Sequence, residues 1–223
     1  MLLDKGCVIM SKFFLLCIRM KMFFMINRFF IRFKQYITKR RILSLLKSLK
    51  KTNYSDPRIY NKMGFIYIKM RNYKMSYRCF NKATQLAPNK DIYWSNAGYS
   101  LRHLIPDNNT NEEYAKQAFD KAIEINPSNV ISWLNRCYME FISGDYKTAL
   151  VYCNKAMELD NKYFIIYFNR GMIYLKDRKY ELAIKDFNMF IKLSRFSFSY
   201  RKDRKSAKKE LKALLIHHTV INQ

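Results

Sequence analysis

Between Lys5 and Ser55 the chain has no acidic residue. Acid is scarce throughout: 17 Asp and Glu stand against 42 Lys and Arg, a formal charge of +25 over 223 residues. The excess is uneven, +11 in residues 1–56, +9 in 57–197 and +5 in 198–223. Such a surface attracts nucleic acid, anionic membrane or an acidic partner. The abundance of Lys, Asn, Ile, Tyr and Phe that an AT-biased coding sequence produces is an alternative source of the same charge. Long apolar runs are also missing. In the N-terminal segment the longest uncharged runs are six residues, too short for a spanning helix of about 20 residues or a secretory core of roughly 7–15. The five cysteines, Cys7, Cys17, Cys79, Cys137 and Cys153, are odd in number, and none has the two-residue spacing of a metal or redox motif. They read as small buried apolar residues of a reducing, intracellular and cytoplasmic setting. His103, His217 and His218 do not gather with further ligands into a metal site. There is no nucleophile motif and no glycine-rich phosphate loop. The expectation is a protein without cofactor, metal or catalytic centre.

What is present is a repeat. Aligning Val130–Tyr163 over Phe164–Ser197 puts Trp133 over Tyr167, Asn135 over Asn169, Tyr146 over Tyr180 and Ala149 over Ala183, a period of 34 residues. Upstream, residues 91–129 carry Trp94, Ala97, Gly98, Ala115, Phe119, Ala122 and Pro127 in the same order. Residues 57–90 carry Tyr60, Gly64, Tyr67, Tyr73, Phe80, Ala83 and Pro88. The second unit is five residues long for its period, with the excess near Arg102–Asn111, where a turn tolerates insertion.

A fixed 34-residue period with an aromatic, then Gly, then Ala and Phe, then Pro marks a helix-turn-helix solenoid. The chain resembles the tetratricopeptide-repeat family, with four repeats at 57–90, 91–129, 130–163 and 164–197. The fold expected is all-α: a right-handed solenoid of antiparallel helix pairs, flanked by N- and C-terminal helices. Glycine at the eighth position and alanine at the twentieth belong where two helices cross closely, and a larger side chain there would overpack. The aromatics at positions four and twenty-four are expected to fill the space between neighbouring helices. Pro88 and Pro127 follow helix ends that they cannot continue. Repeat three departs, with Cys137 for glycine and Cys153 for phenylalanine; repeat one has Ser76 for the central alanine.

In the resembled family the first helix of each repeat lines a concave groove and its sixth position points inward. Here that position holds Asn96, Asn135 and Asn169, while repeat one has Lys62, flanked by Arg58 and Asn61. An asparagine amide can both donate to and accept from an extended peptide backbone. The resemblance therefore implies a protein or peptide partner held by Asn61, Asn96, Asn135, Asn169 and Arg58. The set that holds a chaperone's C-terminal carboxylate is not matched: position two is Ile92, Ile131 and Ile165, and position nine is Phe65, Tyr99, Tyr138 and Met172.

The flanks add alternatives. Within residues 1–56, Lys21, Arg28, Arg32 and Lys39 fall on one helical face, with Phe23, Ile26, Phe30 and Phe33 on another. This segment suits a cap on the first repeat, a helix on an anionic membrane, or a mitochondrial-type targeting sequence. Arg201 to His217 reads as a capping helix with a polar outer face, or as a basic patch. Three roles follow: a protein-binding adaptor, a membrane- or organelle-surface receptor or tether, and an RNA-binding helical-repeat protein. The Trp, Gly, Ala and Pro pattern fits the first better than nucleic acid.

Overall fold

The computed structural model describes residues 36–104 and 110–221, with side chains through Ile216. The described residues are helical between short turns, with no strand among them. They fall into two compact units, divided in the chain between Ile59 and Tyr60.

In the first unit residues 36–51 form helix α1. It ends where Asn53 and Tyr54 turn left-handed (φ 49° and 59°). The Tyr54 N–H then reaches back to the Leu49 carbonyl at 2.8 Å, satisfying an acceptor the helix leaves open. Asp56 starts the next helix: its carboxylate accepts the Arg58 N–H at 2.9 Å. Pro57 takes the first helical position, where no N–H is needed. Of the four expected basic-face residues only Lys39 is described, exposed on α1; Lys21, Arg28 and Arg32 lie outside the described residues. No described helix is long and apolar enough to cross a membrane.

Helix α2 (Pro57–Lys69) carries the chain into the second unit. There follow α3 (Tyr73–Leu86), α4 (Asp91–Arg102), α5 (Thr110–Ile125), α6 (Val130–Ile142), α7 (Tyr146–Leu159), α8 (Ile165–Lys176) and α9 (Tyr180–Leu193). A 3₁₀ turn at Phe198–Tyr200 leads to α10 (Arg201–Ile221), which runs past the His217 end expected from its apolar spacing. Each helix packs on the next in the chain from α3 onward, and α9 is covered by α10. This is a solenoid of helix pairs with a terminal helix over its last apolar face.

The crossing inside each pair is set by glycine against phenylalanine. A Cβ placed on Gly64 would lie 2.4 Å from the Phe80 ring; on Gly98, 2.7 Å from Phe119; on Gly171, 2.9 Å from Phe187. All three rings are fully buried, as are Ala115, Ala149 and Ala183. Repeat three solves the same crossing with different volumes. Cys137 adds a side chain at the glycine position and Cys153 removes a ring at the phenylalanine position, and both are fully buried. Contact with the Cys153 thiol, together with burial, pushes the Cys137 thiol well above its usual range. The two departures are therefore one compensated exchange.

The turn inside the pair repeats as closely. Position fifteen is left-handed in three repeats, at Arg71, Gly144 and Arg178 (φ 57°, 84° and 58°). Only Gly144 occupies that region without crowding a Cβ. Asn72 and Asp145 follow and cap their helices, each accepting a backbone N–H at 3.0 Å from Met75 and Thr148. In repeat one the serine at the central alanine position has a polar use: Ser76 and Ser100 hydroxyls meet at 2.8 Å in the core, joining α3 to α4.

The aromatic at position four packs against the core at Trp133 and Tyr167 and has a polar use besides. Trp94, Trp133 and Tyr167 are half-buried. Each turns its polar edge back to the preceding inter-repeat turn: Trp94 Nε1 donates to the Pro88 carbonyl at 2.8 Å, Trp133 Nε1 to Pro127 at 2.8 Å, and the Tyr167 hydroxyl to Asn161 at 3.0 Å. These rings pin one repeat to the next, while the phenylalanines at position twenty-four fill the core.

Two predictions follow from this packing. Cys153→Phe alone should destabilise the chain by about 1–3 kcal/mol through overpacking against Cys137. Adding Cys137→Gly should recover much of that loss; urea melts around the full double-mutant cycle measure the coupling, and additive costs would refute the volume exchange. Trp133→Phe deletes the bond to Pro127 and part of the ring packing, and should cost about 1–2 kcal/mol. Trp133→Ala also loses the rest of the partly buried ring packing and should cost about 3 kcal/mol. Equal midpoints for the two variants would show that the ring packing contributes nothing.

Candidate functional site

First helices of successive repeats touch one another, α4 with α6 and α6 with α8, more extensively than second helices do. A stack whose first helices converge curves toward them. The face carried by α4, α6 and α8 is thus the inner one of the second unit.

The sequence-predicted asparagines stand on this face, and the fold has put several of them to use. The Asn96 amide donates to the Asn61 carbonyl oxygen at 2.8 Å, linking α2 to α4. Asn135 is buried and accepts from the Arg102 guanidinium at 3.1 Å. Asn169 is half-buried, and its side-chain amide makes no hydrogen bond among the described residues. Arg58 belongs to the first unit, exposed, with its guanidinium paired to Asp56 at 3.0 Å.

Around Arg102 is a cluster that the sequence reading did not single out. Its guanidinium lies over Tyr99 at 4.9 Å and over Tyr138 at 4.5 Å from the ring centroids. The cation is thus held between ring faces of two successive repeats. His103 stacks on Tyr73 at 4.3 Å and meets Tyr99 edge-on at 4.8 Å. Burial lowers the Arg102 pKa from its ordinary value, with the tyrosines opposing that shift. Burial and the neighbouring Arg102 charge lower that of His103 as well, so the imidazole is neutral at pH 7. No carboxylate faces Arg102 among the described residues. The signal was readable in principle: Tyr99 and Arg102 are three apart, hence on one helix face, and Tyr138 is the same repeat position one unit later.

The arginines at position seven make a contrast. Arg170 grips Asp186 through two bonds of 2.7 and 2.9 Å and also reaches Asn154 at 3.2 Å. The Asp186 hydrogen bond leads the causes that raise its pKa. Arg136 bonds Asp120 at 2.8 Å, is paired to Glu140, and lies over Tyr152 at 4.8 Å. These charges are consumed in joining helices. Apolar groups complete the inner face: Ile92 and Ile131, at position two, are 41% and 49% exposed, and Tyr138 is 37% exposed. No group of three or more His, Cys, Asp or Glu suited to a metal occurs among the described residues.

Comparison with known proteins agrees with this architecture. Two tetratricopeptide-repeat family models match, at residues 57–90 and 152–185. The first coincides with repeat one. The second is shifted from the Trp–Gly register, as a periodic chain permits. The peroxisomal targeting signal receptor of Candida glabrata is 28% identical over 120 residues, covering 54% of this chain and 19% of the receptor. Human serine/threonine-protein phosphatase 5 is 33% identical over 81 residues, covering 36% of this chain and 16% of the phosphatase. The chain thus spans less than a fifth of either relative. Among solved structures, a thermophilic TPR protein of Thermus thermophilus superposes with a TM-score of 0.65 at 15% identity, covering 78% of this chain and 93% of that one. The MamA protein superposes at 0.57 and 16%, covering 72% and 84%. With the repeated glycine–phenylalanine crossing, the paired helices and these matches, the chain belongs to the tetratricopeptide-repeat proteins.

Proposed function

We propose that the protein is an interaction module that holds an extended segment of a partner protein along the inner face of its second unit. The observation that carries this reading is the pairing of open amide capacity with exposed aliphatic surface on one face. Asn169 is uncommitted, and Asn96 spends one N–H on Asn61, so its carbonyl and second N–H remain for a backbone. Ile92 and Ile131 offer apolar contact beside them. An extended segment has free N–H and C=O groups along its length and side chains alternating to either side. Amides then fix its direction and the isoleucines receive its apolar side chains. Arg102, which faces no carboxylate among the described residues, favours an acidic side chain on that segment. The name of one relative, a receptor for a targeting signal, supports cargo of this kind.

The test uses peptides selected from a displayed random library on the full-length protein, then measured by fluorescence anisotropy. Asn169→Ala removes no hydrogen bond from the fold and should leave the melt unchanged. It should weaken selected peptides by about 0.5–1.5 kcal/mol, roughly two- to tenfold. Ile131→Asp should weaken them further by placing a charge on apolar contact area. Peptides that bind both variants as tightly as wild type would locate the docking surface elsewhere.

A further inference from the structure

The segment between α9 and α10 turns two large apolar side chains outward. Phe196 is 86% and Phe198 83% exposed. They flank Ser197, whose backbone is extended (φ −84°, ψ 108°). The exposure does not come from a loose backbone. Ser194 caps α9 through its N–H to the Phe190 carbonyl, and the Ser197 N–H bonds the Ser194 carbonyl at 2.9 Å. From α10, Arg204 donates to the carbonyls of Ser194 and Ser197 at 2.5 and 2.6 Å. Tyr200 turns inward, its ring edge-on to Phe164 at 5.0 Å. Of three aromatics within five residues, the fold packs one, half-buried, against its core and sends two to the surface.

The charge around the pair is of one sign. From residue 187 to 209 there are eight Lys and Arg and a single acid, Asp203. Lys192, Arg195, Arg201, Lys202 and Lys205 are all exposed. The Arg195 guanidinium lies over the Phe196 ring at 4.5 Å, so a cation lies directly against one of the two exposed rings.

We propose that this turn is a membrane contact: Phe196 and Phe198 enter the headgroup–acyl boundary of an anionic bilayer, and the surrounding cations meet lipid phosphates and carboxylates. Two exposed apolar rings set among exposed cations match such a surface, which offers hydrocarbon beneath anionic headgroups. A single-stranded nucleic acid would satisfy the cations too, but its sites are grooves with stacking platforms. This is a turn, and Arg195 already lies over one of its two rings, where a base would stack. The contact is separate from the inner face of α4, α6 and α8, and from any role of the acid-free N-terminal segment.

The test must read this turn and not the whole protein. Full-length Phe198→Trp is mixed with vesicles of phosphatidylcholine containing about a third phosphatidylserine, and the wild-type signal from Trp94 and Trp133 is subtracted. The added indole should shift to the blue and be quenched by brominated acyl chains. It should respond little to pure phosphatidylcholine and lose the shift at high salt. In parallel, Phe196→Ser with Phe198→Ser, both at exposed positions and so neutral to the melt, should lower sedimentation with the anionic vesicles about tenfold. An indole that keeps its water-exposed emission at saturating vesicles overturns the proposal. So does a double serine variant that sediments like wild type. A polyuridine oligonucleotide that shifts the indole more than the vesicles do overturns it in favour of nucleic acid.

Discussion

A phenylalanine ring occupies the space that a side chain on the facing helix would need. That contact, between Gly64 and Phe80, Gly98 and Phe119, and Gly171 and Phe187, sets how closely the two helices of a pair approach. The rest of the second unit depends on it. Close approach buries the alanines at position twenty completely and leaves room for the next pair to stack. Because the ring and the missing Cβ share one volume, neither position is free to change alone. Repeat three shows this within the chain itself, where cysteine replaces both partners and both remain fully buried. The constraint is on summed volume across the crossing, not on either residue's identity.

Polar interactions act mainly between repeats. The tryptophans and Tyr167 return hydrogen bonds to the preceding turn, and Ser76 meets Ser100 across the core; within repeat two, Asn126 and Asn129 both donate to Asp91 at 2.9 and 2.7 Å. Arg136 and Arg170 reach back to the second helix of the preceding repeat, at Asp120 and Asn154. Each repeat is thus locked to its neighbour by directional bonds, whereas the crossing inside a pair is chiefly a matter of apolar fit, joined in repeat four by the Arg170–Asp186 pair. Arg102 stands apart: its charge is stabilised by ring faces, a hydrogen bond with Tyr99 and the Asn135 amide, with no carboxylate facing it among the described residues. The chain's large positive charge is therefore not uniform in meaning. Part of it is paired with carboxylates inside the solenoid, part is held between tyrosine rings at Arg102, and part surrounds the exposed turn between α9 and α10.

How much was legible in advance follows the period. The helix pairs, their turns and the buried Phe80, Phe119 and Phe187 could be read because a 34-residue repeat samples the same environment four times, and each sample corrects the others. The asparagines at position six fall on α4, α6 and α8 for the same reason. Their partners were not legible. That Asn96 bonds Asn61 and Asn135 bonds Arg102 depends on side-chain reach across residues 33–35 apart in sequence. That separation is close to one repeat, but the residues meeting across it are not at equivalent positions. The bond that Trp133 makes was not legible either, because its N–H needs an acceptor that only the fold brings near. The inter-repeat turn supplies one at Pro127.

By itself the sequence determined the all-helical class, the number and phase of the repeats and the uneven charge. These are carried by local propensity and periodicity, and both act over a few turns of chain. Tertiary structure alone decided that Cys137 and Cys153 are two halves of one exchange, since complementarity exists only where helices cross. It alone also decided which of Phe196, Phe198 and Tyr200 face the core. All three are aromatic and neighbours in the chain; the way α10 docks on α9, with Arg204 fixing the turn between them, packs the third against the core and leaves the first two outside.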